Sequence, residues 1–299
     1  MSSKKSNEQG KVIVVTGGAG FIGSHLIENL LQKFPSYKIY SLDNYFTGKE
    51  SNHISGATYI TGNTKDIDSL IHDRPDLVFH LGEYSRVESS FDDVSTVFDF
   101  NKLGTFAVLE FCRKHNCKLV YAGSSTKFAD GGLGRDQSPY AWAKATNTEL
   151  VNNYGNWYGL TYAITYFYNV YGEREINEGK YATLVGIYKT KMKNKEPLTV
   201  VSPGTQLRNF THVQDIVDGL IMVGEKGIGD GYGLGSEEAF TVRDVAEMFG
   251  GEILMLPERK GNRMQAYVDV SRARNEFGWQ AKHNLKDHIT SFLKQSGLV

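Results

Sequence analysis

The chain has 299 residues, 40% hydrophobic and 22% charged, with 33 Lys plus Arg against 34 Asp plus Glu. That balance describes a globular protein and lacks the basic excess of a nucleic-acid binder. Two cysteines, Cys112 and Cys117, exclude a disulfide framework and a metal site built on thiolates. No apolar run is long enough to span a bilayer, so no membrane partner is expected. The polar segment Met1 to Gly10 reads as a disordered tail rather than a secretory signal, which makes a cytoplasmic protein the default expectation.

Val12 to Thr16 is a continuous β-branched run, the pattern of a strand buried on both faces. After a glycine turn, Ile22, Leu26 and Leu30 recur at four-residue spacing, predicting an amphipathic helix. Lys38–Leu42, Leu77–His80, Lys118–Ala122 and Thr161–Phe167 read as further strands. Helical stretches run from about Thr96 to His115 and from Pro139 to about Tyr158, the proline suiting a first turn. Strands alternating with helices predict an α/β fold, a Rossmann-type doubly wound parallel sheet. Beyond Gly172 the pattern loosens. Helices are expected over Tyr181–Lys193, Val213–Val223 and Thr241–Phe249, and a short strand over Leu198–Val201. Residues 11–172 therefore read as a Rossmann domain, and 173–299 as a smaller α/β substrate-binding lobe partly interleaved with it.

The turn between the first strand and helix carries Gly17, Gly20 and Gly23 at G-x-x-G-x-x-G spacing, with Phe21 and Ile22 between the last two. Glycines there permit a tight turn and close backbone approach to a pyrophosphate, and the helix N-terminus offers free N–H groups to the anion. Asp43 ends the next strand 20 residues after Gly23. A carboxylate in that place accepts both ribose hydroxyls of NAD and repels the 2′-phosphate of NADP. A glycine-rich turn without a ligand is the plain alternative, but it does not account for strand, loop, helix and acid in register.

Tyr140 and Lys144 lie four residues apart near the start of a predicted helix, on one face and one turn apart. A phenol titrates near ~10, and two close cations, an ammonium and an oxidised nicotinamide, would supply the ~4 kcal/mol needed to bring it near neutrality. Tyr-x-x-x-Lys by itself is a common coincidence of a surface helix. Here it follows a strand ending in Gly123-Ser124-Ser125-Thr126, in a chain already bearing a dinucleotide loop.

At these residues the sequence resembles the extended short-chain dehydrogenase/reductases, in particular their NAD-dependent nucleotide-sugar epimerases and dehydratases. The resemblance runs from Val12 to Trp279. Thr16 to Ser24 matches the opening Thr-Gly-Gly-Ala-Gly-Phe-Ile-Gly-Ser, and Asp43-Asn44 the acidic end of the second strand. Phe79-His80-Leu81-Gly82 is similar to a Phe-His-Leu-Ala turn beside the cofactor, and Asn101 with Gly104-Thr105 to a helix start that supports the active site. Tyr166 to Gly172 resembles Phe-Asn-Val-Tyr-Gly, with Asn169 in the substrate-facing place. Arg208 to Val213 resembles Arg-Asp-Phe-x-His-Val, and Arg259-Lys260-Gly261-Asn262 an Arg-x-Gly-Asp motif. Phe277-Gly278-Trp279 is similar to a closing Leu-Gly-Trp.

The resemblance implies roles. Tyr140 is the catalytic base, Lys144 its tuner and ligand of the nicotinamide ribose, and Thr126 the hydroxyl near the reacting sugar oxygen, with Ser125 beside the substrate. Asn63, Thr64, Leu81 and Gly82 join the glycine loop and Asp43-Asn44 in holding NAD. Asn169, Arg208 and Arg259 hold a nucleotide-diphosphate sugar, the arginine forks suiting phosphate oxygens. Relatives pair as homodimers through the two long helices. The implied reaction is oxidation at C4 of a hexose, most simply a 4-epimerisation; a C4 dehydrogenase or keto-sugar reductase is the runner-up, and a non-catalytic NAD-sensing scaffold a third class.

Departures from the pattern accompany the matches. Lys127 and Phe128 read as standing where 4,6-dehydratases carry an Asp-Glu acid/base pair, so elimination is not expected. Gly62-Asn63-Thr64 replaces Gly-Asp-Ile or Gly-Asp-Leu, and Glu83-Tyr84-Ser85-Arg86 is an unusual form of the loop after the His-Leu turn. The eight histidines show no ligand-like grouping with acids or cysteines along the chain, so no metal is expected, and His80 reads as a strand-end packing residue. Cys112 and Cys117 read as small apolar residues. Phe98, Phe106, Leu109 and Phe111 read as core or dimer-interface residues.

Overall fold

A computed structural model of the chain describes residues 10–258, 264 and 267–299. The tail expected over Met1 to Gly10 lies outside them apart from Gly10, and so does Arg259. Six parallel strands, β1 (Val12–Thr16), β2 (Lys38–Asp43), β3 (Thr58–Thr61), β4 (Leu77–His80), β5 (Lys118–Ser124) and β6 (Tyr162–Phe167), join an edge strand at Gly229–Leu234 in one seven-stranded sheet. The order is edge strand, β6, β5, β4, β1, β2, β3, all neighbours parallel. The chain reverses direction across the sheet between β1 and β4, and in such sheets ligands bind at the carboxyl ends of the strands at that switch point.

The core lies on both faces of the sheet, which explains why the strands read as continuous apolar runs. Ile13, Val15, Phe79 and Val120 pack to one side against Leu26 and Leu30 of α1 (Phe21–Lys33) and Val217 and Leu220 of the helix Val213–Lys226. Val14, Val78, Leu119 and Tyr121 pack to the other against Val108, Leu109, Phe111 and Cys112 of the helix Gly104–His115. Both cysteines are buried and free. Phe98 and Phe106, by contrast, are exposed.

The long helix expected from about Thr96 is built from a short helix at Val94–Val97, a π turn at Phe98–Leu103 and the helix Gly104–His115. π turns insert one residue per turn and often accompany functional sites. This one buries Asn101, whose side chain accepts from Tyr84 N at 2.7 Å and donates to Tyr84 O at 3.0 Å. The helix Pro139–Tyr158 starts where its sequence demands: Ser138 Oγ accepts the Ala141 amide, proline fills the first turn, and Gly159 stops it with a left-handed φ of 67°. A third cluster, from Tyr171, Val185, Tyr188, Leu198, Val245 and Leu285 among others, forms under the helices Leu184–Asn194, Val242–Phe249 and Leu285–Gln295. The helix Val242–Phe249 starts at Thr241, which forms a capping box with Asp244. Among the described residues no helix is long and apolar enough to cross a membrane.

Candidate active site

A cleft of about 560 Å³ opens along the carboxyl ends of β1, β2, β4, β5 and β6. Its floor at one end is the turn from Gly17 to Gly23. Gly17 takes φ +71°, and a Cβ there would lie 2.9 Å from the Gly82 backbone; a Cβ on Gly23 would lie 2.2 Å from Gly17 O. Neither position has room for a side chain. The first turn of α1, begun by Phe21, Ile22 and Gly23 after the N-cap Gly20, has no side-chain cap and no acidic residue, so its amides face the cleft uncompensated. Asp43 lies beside them, buried, with Oδ2 accepting Ala19 N at 2.9 Å and Oδ1 accepting Tyr45 N at 2.8 Å. Burial pushes its carboxyl up, and these two amides pull it back.

Asn44, Thr64, Leu81 and Gly82 also line the cleft, but Asn63 does not. Asn63 Oδ1 accepts from Asn44 Nδ2 at 2.9 Å, which ties it to a residue of the lining. At the other end of the cleft stand Ser125, Thr126, Tyr140, Lys144, Asn169 and Arg208. Asn169 adopts a left-handed φ of 34° and donates to Asn209 O at 2.9 Å. Arg259, expected here, lies outside the described residues.

Tyr140 is not joined to Thr126 directly. Its hydroxyl donates to Ser124 Oγ at 3.3 Å, and Ser124 Oγ meets Thr126 Oγ1 at 2.9 Å. Ser124, the last residue of β5, is thus the hydroxyl in contact with the tyrosine, a residue the sequence reading did not single out. The two residues that follow Ser124 into the cleft are Ser125 and Thr126. Lys127 and Phe128 turn away from it: Lys127 bonds Tyr166 OH at 2.5 Å and pairs with Asp230 at 3.5 Å, and Phe128 packs edge-on to Tyr166.

Lys144 ends in a buried ion pair with Glu83, their side chains 5% and 4% exposed, and also donates to Ala122 O. Glu83 was visible in the sequence only as an odd residue after the His-Leu turn. Its Oε1 accepts from Thr105 Oγ1 at 2.9 Å, Asn147 Nδ2 at 3.1 Å and Tyr121 OH at 3.2 Å. Behind Thr105 lies His80, fully buried, with Nε2 3.0 Å from Thr105 Oγ1 and Nδ1 2.7 Å from Thr16 Oγ1. Thr16 Oγ1 already accepts the Leu81 and Gly82 amides, so its proton goes to Nδ1 and His80 carries its own on Nε2. Burial lowers His80 to about 4, which keeps it neutral. Arg86, also absent from the sequence-predicted set, lines the cleft and donates through Nε at 2.6 Å and Nη2 to Tyr181 O.

A matching family model, the NAD dependent epimerase/dehydratase family, covers residues 13–235. The chain belongs to that family. It is 32% identical over 297 residues to a Methanocaldococcus jannaschii protein provisionally named UDP-glucose 4-epimerase, covering 93% of this chain and 96% of that one. It is 28% identical to UDP-glucuronic acid decarboxylase 6 of Arabidopsis thaliana over 93% of this chain and 86% of that protein. Among solved structures, the UDP-glucose 4-epimerase of Thermus thermophilus in complex with NAD superposes with a TM-score of 0.85 at 26% identity, covering 96% of this chain and 99% of that one. The UDP-glucose 4-epimerase of Thermotoga maritima with UDP-glucose gives 0.86 at 25%, covering 96% and 100%.

NAD is the cofactor. The glycine cradle, the uncapped start of α1 and the buried Asp43 fit a dinucleotide: amides toward the pyrophosphate, a carboxylate toward a ribose diol. One grouping absent from the sequence pattern does appear away from the cleft. Glu173, His212 and His288, far apart in the chain, place ligand-type atoms within 4.8 Å of one another. His212 Nδ1 accepts the Gln214 amide at 3.2 Å as a helix cap. That leaves the imidazole proton on Nε2, which faces Glu173 Oε2 at 3.5 Å as a donor and offers no lone pair to a cation.

Proposed function

We propose that this protein is an NAD-dependent nucleotide-sugar oxidoreductase acting at C4 of the hexose, in its simplest form a nucleotide-sugar 4-epimerase without 4,6-dehydratase activity. The observation that carries this reading is the hydroxyl line Tyr140–Ser124–Thr126, set in the same cleft as the glycine cradle. NAD, when bound, supplies reversible hydride acceptance at a sugar carbon. Tyr140 takes the proton of the C4 hydroxyl and gives it back, Ser124 holds the phenol oxygen in position, and Thr126 and Ser125 flank the sugar. In this reading Asn169 and Arg208, both lining the cleft, bind the substrate, with Arg208 taking a diphosphate oxygen and Arg259 joining it.

Elimination needs a carboxyl acid/base pair near C5 and C6. Among the described residues the carboxylates lining the cleft are Asp43, held by two backbone amides, and Glu83, held by Lys144 and three donors. Ser125 and Thr126, next to the Ser124 hydroxyl, supply neither an acid nor a base of that kind.

The test is incubation of the purified protein with UDP-, GDP- and dTDP-hexoses in deuterated water, followed by NMR. A change of configuration at C4 with the C6 hydroxyl retained supports the reading. Loss of the C6 hydroxyl with deuterium at C5 or C6 overturns it. Accumulation of a 4-ketone with stoichiometric NADH selects the dehydrogenase alternative instead.

The reading includes a homodimer. Phe98, Leu103 and Phe106 are 42%, 55% and 51% exposed, and Phe98 stacks on Trp142 of the neighbouring long helix. That apolar face spans the two helices through which relatives are expected to pair, and a second copy of the chain would cover it. Sedimentation at a mass of one chain would remove this part of the reading.

A further inference from the structure

The side chain that most strongly departs from the sequence expectation is Glu83, because it meets the lysine the reaction relies on. A bare ammonium beside Tyr140 would favour the phenolate. Here the ammonium faces a carboxylate with which it forms a desolvated pair, and the carboxylate's other oxygen takes three further donors. Four donors on one carboxylate satisfy its lone pairs and fix its rotamer. The donors are themselves fixed. Asn147 also donates to Asn101 O at 2.7 Å and accepts from Lys102 at 2.8 Å. Thr105 is ordered by neutral His80, which is ordered by Thr16 at the end of β1. An unbroken chain of bonds therefore runs from the cofactor loop to the Lys144 ammonium.

We infer that Glu83 is a positioning residue of the active site: it anchors the Lys144 ammonium and offsets its charge beside Tyr140. The inference rests on the C4-oxidoreductase reading for its meaning, though its test does not need a sugar. Lys144, Lys102, His80 and Tyr121 face Glu83, and Arg86 and Tyr121 face Tyr140. Arg86 bonds backbone carbonyls of Ser85 and Tyr181 and, among the described residues, pairs with no carboxylate. With the Lys144–Glu83 pair close to neutral as a unit, Arg86 is a cation that faces the phenol. Removing the Glu83 charge leaves two cations there in place of one.

The experiment is a pH titration of tyrosine labelled with ¹³C at Cζ in the NAD-loaded protein, the Tyr140 signal identified by its loss in Tyr140→Phe. In Glu83→Gln the Tyr140 midpoint moves down by about one pH unit, a tenfold change in proton affinity, since a like charge at this range shifts a group by about that much. In Glu83→Asp, which keeps the charge, the midpoint stays nearer wild type than in Glu83→Gln. A loosened structure would treat the two variants alike, so equal shifts overturn the inference, as does an unmoved midpoint in Glu83→Gln. Should Glu83→Gln fail to fold, Glu83→Ala with and without added formate carries the same test: the midpoint falls without formate and returns with it, and a midpoint indifferent to formate overturns the assignment. If no nucleotide sugar turns over, the C4 reading fails while this titration still decides the role of Glu83.

Discussion

Ser124 illustrates how one residue changes the reading of a site. Four hydroxyl- or glycine-bearing positions follow one another at the end of β5, and the sequence alone does not say which of them faces the tyrosine. The pleat decides: Ser124 Oγ lies within reach of both Tyr140 and Thr126, and neither Lys127 nor Phe128 reaches the cleft. Tyr140→Phe keeps the ring and its packing but removes the proposed proton carrier. Turnover of a competent nucleotide sugar should fall by about 10²–10⁴-fold with NAD affinity retained. Ser124→Ala removes the hydroxyl that holds the phenol oxygen and should lower kcat by about 10²-fold, while Thr126→Val, one bond further out, costs less than about tenfold. Steady-state kinetics on the three variants check the order. A larger loss in Thr126→Val than in Ser124→Ala would overturn the assignment of Ser124 as the hydroxyl that holds the phenol.

The strand–loop–helix unit from Val12 to Lys33 was legible because every local signal in it agrees: a β-branched run, glycines where backbone must approach backbone, and apolar spacing for a helix. Gly23→Ala tests that unit as an element. The added Cβ would lie 2.2 Å from Gly17 O, a backbone atom that cannot move aside without opening the loop. NAD affinity should fall more than about tenfold, read by titration calorimetry, and the unfolding temperature should drop with it. Wild-type affinity would mean that the loop tolerates a shift the structure does not provide for. Other elements were illegible for physical reasons. The edge strand Gly229–Leu234 has three glycines in six residues and a register break between Gly229 and Tyr232, so only its pairing with β6 makes it a strand. The π turn at Phe98–Leu103 preserves helical apolar spacing on both sides, which hides the extra residue that aims Asn101. Glu83 was visible as an anomaly, but its partners Thr105, Tyr121, Lys144 and Asn147 lie 22 to 64 residues away in the chain.

For the molecule as a whole, the same buried network that orders the site also sets a pH limit on folding. His80 sits at the centre of the sheet, fully buried between Thr16 and Thr105, and burial lowers it from an ordinary value of 6.5 to about 4. In the unfolded chain it titrates at its ordinary value, so between about pH 6.5 and 4 the unfolded state binds a proton that the folded state refuses. Its contribution to stability is therefore fully present above 6.5 and is lost progressively as the pH falls toward 4, by up to about 3 kcal/mol for a shift of this size. Urea unfolding of the protein should show a midpoint that falls between pH 7 and pH 5. His80→Asn, which cannot take up a proton in that range, should start from a lower midpoint at pH 7, since it fits the Thr16–Thr105 gap less well, yet lose less on acidification. Other buried histidines add to the wild-type slope and are common to both proteins, so the comparison isolates this one. Equal losses in the two proteins over that range would mean that His80 is already protonated in the fold, with the Thr105 bond and the chain leading to Glu83 reorganised around a cation.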